Sequence, residues 1–120
     1  MLKATFFYLK TCDTCRRILK ELDLPDEVVL REIKSAPITT EELEQLKVHF
    51  SSYEELFNKR AVKFRSMDAS ALQDSDYQKL ILSDYTFLKR PVLLIGDNAF
   101  AGNSKNIVEQ MSLSTESARS

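Results

Sequence analysis

The sequence predicts an α/β fold: a mixed four-stranded sheet flanked by helices, with a helical insertion between a βαβ half and a ββα half. Three observations predict it. An apolar run, a stretch of apolar residues at helical spacing and a β-branched run fill residues 3–33 in that order. From about 40 to 85 apolar residues recur only at helical spacing, with no β-run. A Pro-led apolar run, a Gly-containing turn, a short second run and a closing helical pattern occupy 91–111.

The first strand is predicted over Lys3 to Leu9, where Phe6-Phe7-Tyr8-Leu9 gives way to the polar turn Lys10-Thr11. A helix follows over Asp13 to Leu22. Cys15, Ile18, Leu19 and Leu22 fall at i, i+3, i+4 and i+7, one helical face. Arg16, Arg17, Lys20 and Glu21 take the other face, and Asp23-Leu24-Pro25 ends the helix. Val28 to Ile33 is the second strand. A strand–helix–strand unit of this length favours parallel pairing, because parallel strands need a long crossover.

Lys34 to Pro37 is a predicted loop. Thr39 and Glu42 have capping-box spacing, so a helix is expected from Thr40, with Leu43, Leu46 and Phe50 as its stripe. Ser51 and Glu54 repeat the spacing before a short helix carrying Tyr53, Leu56 and Phe57. Ser66 to Asp74 is expected as loop. Ser75 and Gln78 mark a third start, with Tyr77, Leu80 and Ile81 buried. Pro91 opens the strand Val92 to Ile95, Gly96-Asp97-Asn98 turns it, and Ala99 to Ala101 completes a hairpin. Ser104 is a suitable N-cap for a last helix over Lys105 to Met111. A single domain over 1–111 is expected, with the Ser-rich 112–120 as a flexible tail. With Cys-x-x-Cys opening the first helix, this order is the thioredoxin-like arrangement.

Composition narrows the function. The 120 residues carry a net charge of −1, which gives no electrostatic case for nucleic acid or an anionic membrane surface. No apolar run approaches the ~20 residues that span a bilayer. The N-terminus reads as a first strand and not a signal peptide. Two cysteines in one turn make no disulfide framework, so a cytoplasmic protein is expected, with the pair catalytic, redox-sensing or metal-binding. A structural zinc site needs four ligands, and beyond this pair only His49 is on offer, so no metal is expected. Two inert core thiols remain the bland alternative.

Cys12 and Cys15 sit where orphan helix amides and the helix dipole stabilise an anion, which favours the reactive thiolate. Cys12 lies in the turn and is expected to attack. Cys15 shares the apolar stripe and is expected to resolve the mixed disulfide. Arg16, one turn beyond Cys12, is a candidate to favour the thiolate or orient an anion. Arg60 and Arg90 edge the helical insertion. Arg90 gains weight from Pro91, a candidate cis-proline at the strand facing the active helix. Lys59, Lys63, Arg65 and His49 read as surface residues. Phe6, Phe7, Tyr8, Phe50, Tyr53, Phe57 and Phe64 read as core.

TCDTCRRIL (11–19), IKSAPITTEEL (33–43), ELFNKR (55–60), LKRPVLL (88–94) and AGNSKNIVEQ (101–110) together resemble the arsenate reductase (ArsC/Spx/YffB) family, a thioredoxin-fold family with a helical insertion. The resemblance implies that Cys12 is the nucleophile and that Arg90 binds an oxyanion beside a cis Pro91. It implies that an insertion arginine, Arg60 by best match, does the same. It further implies a thiol–disulfide oxidoreductase with no bound cofactor, drawing electrons from glutathione with glutaredoxin, or from thioredoxin, and acting on a small-molecule or disulfide substrate that includes arsenate. Two features depart from the arsenate-reducing members. Cys15 resembles the Spx branch, redox-sensing regulators that bind RNA polymerase, so a Cys12–Cys15 switch is the alternative reading. The only arginine after Arg90 is Arg119, where those reductases carry a third anion-binding arginine. FNKRAVKFR in turn resembles the family's small glutathione-linked reductases.

Overall fold

The structure is a computed structural model that describes residues 3–119. Its main elements are β1 (Ala4–Tyr8), α1 (Asp13–Leu22), β2 (Val29–Glu32), α2 (Thr40–Lys47), α3 (Asp74–Ser83), β3 (Val92–Ile95), β4 (Asn98–Ala101) and α4 (Lys105–Arg119). Short 3-10 turns at Glu54–Leu56, Val62–Ser66, Ala69–Ala71 and Tyr85–Phe87 fill the insertion. The chain divides into two compact units, Met1–Ala36 with Arg90–Ser120, and Pro37–Lys89.

The first unit holds the whole sheet, in the order β2-β1-β3-β4. β1 pairs parallel with β2 (Phe6 opposite Leu30) and antiparallel with β3 (Phe6 opposite Leu93), and β3 and β4 form the hairpin. The predicted mixed α/β, thioredoxin-like arrangement is therefore what forms. The αL conformation of Gly96, φ 56°, lets the hairpin turn in two residues. The α1 stripe does what its spacing predicts: Ile18 and Leu22 bury against Phe6, Leu93, Ile95 and Met111. Each large side chain removed from water there contributes roughly 1.5–3 kcal/mol before entropy is charged against it. Asp23 closes α1 in the left-handed region, φ 46°, a conformation Asp tolerates better than most residues.

The second unit has its own core. The Phe57 ring meets Phe64 and Tyr77 edge-on at 4.9 Å and stacks on Phe87 at 5.2 Å. Backbone bonds from Asn58 N–H to the Phe87 carbonyl (2.7 Å) and from Lys89 N–H to the Leu56 carbonyl (2.8 Å) close its ends. The Thr39–Glu42 capping box forms in both directions.

Three details differ from the sequence expectation. Ser51 pairs with Glu55 and not Glu54, and the Asp74 carboxylate caps the Tyr53 and Glu54 amides from far along the chain. The third start is Gln73 with Asp76, so α3 begins before Ser75. The expected loop over Ser66 to Asp74 contains a 3-10 turn. The last helix also runs further than the expected Lys105 to Met111: α4 continues to Arg119. Thr115 stacks one turn beyond Met111 on the same buried face, and its hydroxyl donates to the Met111 carbonyl at 2.8 Å. A threonine whose hydroxyl is satisfied inside the helix buries its methyl at no polar cost.

Candidate active site

The site is built by the two central strands. β1 runs into the turn Leu9 to Thr11, and Cys12 is the N-cap of α1, with extended backbone (φ −91°, ψ 114°). Its N–H donates to the Leu9 carbonyl at 3.1 Å, and its own carbonyl accepts the Arg16 N–H at 3.1 Å, the first bond of the helix. Antiparallel pairing of β1 with β3 sets Phe7 opposite Val92. That register carries Arg90, two residues before Val92, to the cysteine turn. The Arg90–Pro91 peptide is cis, and the buried Pro91 carbonyl accepts the Gly102 N–H at 2.9 Å.

Both cysteines are free thiols, Cys12 half-buried and Cys15 fully buried. They differ in acidity. Partial burial of Cys12 opposes its thiolate, but hydrogen bonds from the Cys15 amide and thiol and from the Arg90 guanidinium, with that guanidinium's charge, outweigh it and hold Cys12 below the ordinary thiol value. Cys15 is pushed up to about 11, first by burial and then by the neighbouring Cys12 sulfur, against hydrogen bonding from the Leu9 amide. Cys12 is therefore the more readily ionised thiol, and Cys15 the one that keeps its proton.

Arg90 does more than touch sulfur. Its Nε and Nη1 are buried and have no hydrogen-bond partner among the described residues. Buried guanidinium N–H groups are nearly always satisfied, so these two are unpaired donors, covered by the protein, on the cation beside the Cys12 thiol.

Arg16 points out from α1, where its guanidinium pairs with the Asp13 carboxylate. Arg60 is exposed in the second unit, its N–H donating to Asn58 Oδ1 at 3.2 Å. His49 is exposed, and no group of three or more His, Cys, Asp or Glu that could hold a metal occurs among the described residues. No helix among them is long and apolar enough to cross a membrane. Sequence reasoning passed over the Leu9 amide and Glu32. A backbone donor leaves no mark in a sequence, but a glutamate ending the strand parallel to β1 is a signal that pairing register would have raised.

The fold is shared with solved structures at low identity. A YFFB protein superposes with a TM-score of 0.75 at 21% identity, over 94% of this chain and 99% of its own. An arsenate reductase from Vibrio cholerae gives 0.71 at 14%, over 90% and 93%. An arsenate reductase (ArsC) related protein from Brucella melitensis gives 0.68 at 21%, over 90% and 92%. No curated protein matches the sequence. The profile of the ArsC family matches residues 7–111, from β1 through the cysteine turn, the insertion and Arg90 to the first half of α4, and the chain belongs to that family.

Proposed function

We propose that this chain is a thiol–disulfide oxidoreductase that acts on a small disulfide bearing an anionic group, with Cys12 as nucleophile and Cys15 as resolving thiol. The observation that supports it most is the Arg90 guanidinium beside a Cys12 thiol held below its ordinary pKa, a cation that favours both the thiolate and an approaching anion. The Arg90 charge would draw the substrate's anionic group towards the cysteine turn while the Cys12 thiolate attacks one sulfur. A Cys12–substrate disulfide forms, the substrate S–S bond breaks, and the leaving thiolate takes up a proton. The Cys12 negative charge is then gone. The contributions it made to raising the Cys15 pKa vanish, and the Arg90 charge now favours a Cys15 thiolate. Cys15 loses its proton, attacks the Cys12 sulfur and releases the second thiol, leaving a Cys12–Cys15 disulfide. Two electrons from a dithiol donor of the glutaredoxin or thioredoxin class, or from two glutathiones, restore both thiols.

Arsenate is the competing substrate. The sequence has no arginine between Arg90 and Arg119, so a tetrahedral oxyanion would meet one cation fewer than the arsenate-reducing members of the family offer it. A coupled NADPH assay decides, offering arsenate and a mixed glutathione disulfide in parallel with each donor. The expected result is disulfide turnover that Cys12→Ser abolishes, and a mixed disulfide that accumulates on Cys15→Ser and shows in the intact mass. Full activity in Cys12→Ser would sink the proposal. An inactive wild type whose binding to RNA polymerase changes on oxidation would replace it with the regulatory reading.

A further inference from the structure

The geometry assigns Glu32 as a positioning residue that holds the nucleophile turn from the neighbouring strand. This rests on the reading of Cys12 as the nucleophile. Glu32 ends β2 opposite Tyr8, at the edge of the sheet from which the cysteine turn departs. Its Oε2 accepts the Lys10 N–H at 3.1 Å. Its Oε1 accepts both the N–H and the hydroxyl of Ser35 at 2.8 Å each. The carboxylate thus ties the loop after β2 to the turn after β1.

The tie reaches Cys12 through one rigid group. The Lys10 N–H and the Leu9 carbonyl belong to the same peptide plane. Glu32 grips the N–H edge, and the Cys12 N–H donates to the carbonyl edge at 3.1 Å. Turning that plane breaks both bonds at once. Release of the Lys10 N–H therefore lets the N-cap of α1 shift relative to Arg90. Glu32 itself never nears the sulfur in this chain of contacts, because it works through a backbone plane. Its carboxyl is held below the usual range: slight desolvation opposes this, and bonds from Lys10, Ser35 and Lys34 outweigh it. It is thus an ionised acceptor at neutral pH.

Glu32→Met keeps the chain length and removes the acceptors, and Glu32→Gln keeps one carbonyl oxygen. Both are compared with wild type by amide hydrogen exchange, by the pH profile of Cys12 alkylation and by kcat and KM for the disulfide. The expected outcome for Glu32→Met is Cys12 and Lys10 amides exchanging about tenfold faster, an alkylation profile moved to higher pH, and kcat down about tenfold with KM little changed. Glu32→Gln is expected to recover part of each. Wild-type exchange and profile in folded Glu32→Met would overturn the assignment. If Glu32→Met does not fold, Glu32→Gln decides by the same readouts: faster Cys12 exchange supports the assignment and unchanged exchange overturns it. A failure of the underlying reading is distinct, since it shows as full activity in Cys12→Ser regardless of Glu32.

Discussion

The two thiols are expected to separate cleanly under alkylation. Cys15 has no exposed surface and its pKa is pushed from 9.0 to about 11, chiefly by burial. At pH 7 a thiol at 9.0 is ionised to about one part in a hundred, and one at 11 to about one in ten thousand. Ionisation alone therefore slows Cys15 about a hundredfold against an unperturbed thiol, a cost of roughly 2.7 kcal/mol. Cys12 moves the other way. One equivalent of iodoacetamide at pH 7, followed by peptide mapping in a mass spectrometer, should place nearly all label on Cys12. A second measurement probes the cause. Part of the Cys15 shift comes from the Cys12 sulfur, so Cys12→Ser should make Cys15 alkylate faster than it does in wild type, though burial keeps it slow. Comparable labelling of both thiols in the native protein would refute the asymmetry. A Cys15 rate unmoved by Cys12→Ser would refute the coupling.

Arg90→Met removes a charge-assisted bond to the thiolate, so Cys12 alkylation near pH 6.5 should slow about tenfold or more. The same variant no longer buries two unpaired N–H groups, so its urea midpoint should rise while activity falls. Thr39→Ala breaks a complete capping box and should cost about 1 kcal/mol in chemical denaturation. Asp84 is held at about 2 by the Lys63 ammonium and by the Thr86 amide and hydroxyl. Its folded value lies below the unfolded 3.8, so its contribution is present above about pH 4 and is lost as pH falls towards 2. Lys63→Met should flatten the acid limb of the stability curve in that window.

The site was legible where chemistry is local and dim where it depends on register. Cys12 and Cys15 declare themselves by spacing, and their inequality follows from which one shares the stripe of Ile18 and Leu22. Arg90 is marked by Pro91, but the burial of its unpaired Nε and Nη1 is a property of packing that no residue type announces. Arg16 has the right distance along the helix and the wrong partner, because Asp13 one turn back meets it first. Capping boxes were read correctly where the box is isolated, at Thr39. Where several acids and hydroxyls crowd together, the distant Asp74 took over the role assigned to Ser51. The end of α4 was hidden because Thr115 counts as polar in any pattern, although its hydroxyl is satisfied internally.

The split of the first unit around Pro37–Lys89 also sets an order of events. The cysteine turn, α1 and β2 are contiguous, and their contacts close short loops. The central pairing of β1 with β3 closes a very long one, with Phe6 opposite Leu93. Long closures pay their entropy before any contact repays it, so they form late. On a growing chain both cysteines emerge well before Arg90. The thiol is made before the cation that adds to its activation, and Cys12 gains the Arg90 share of its acidity only when the last half of the sheet arrives. A nascent chain of this design therefore carries a less acidic thiol past the oxidants and partners it meets during synthesis, and completes its activation with the sheet.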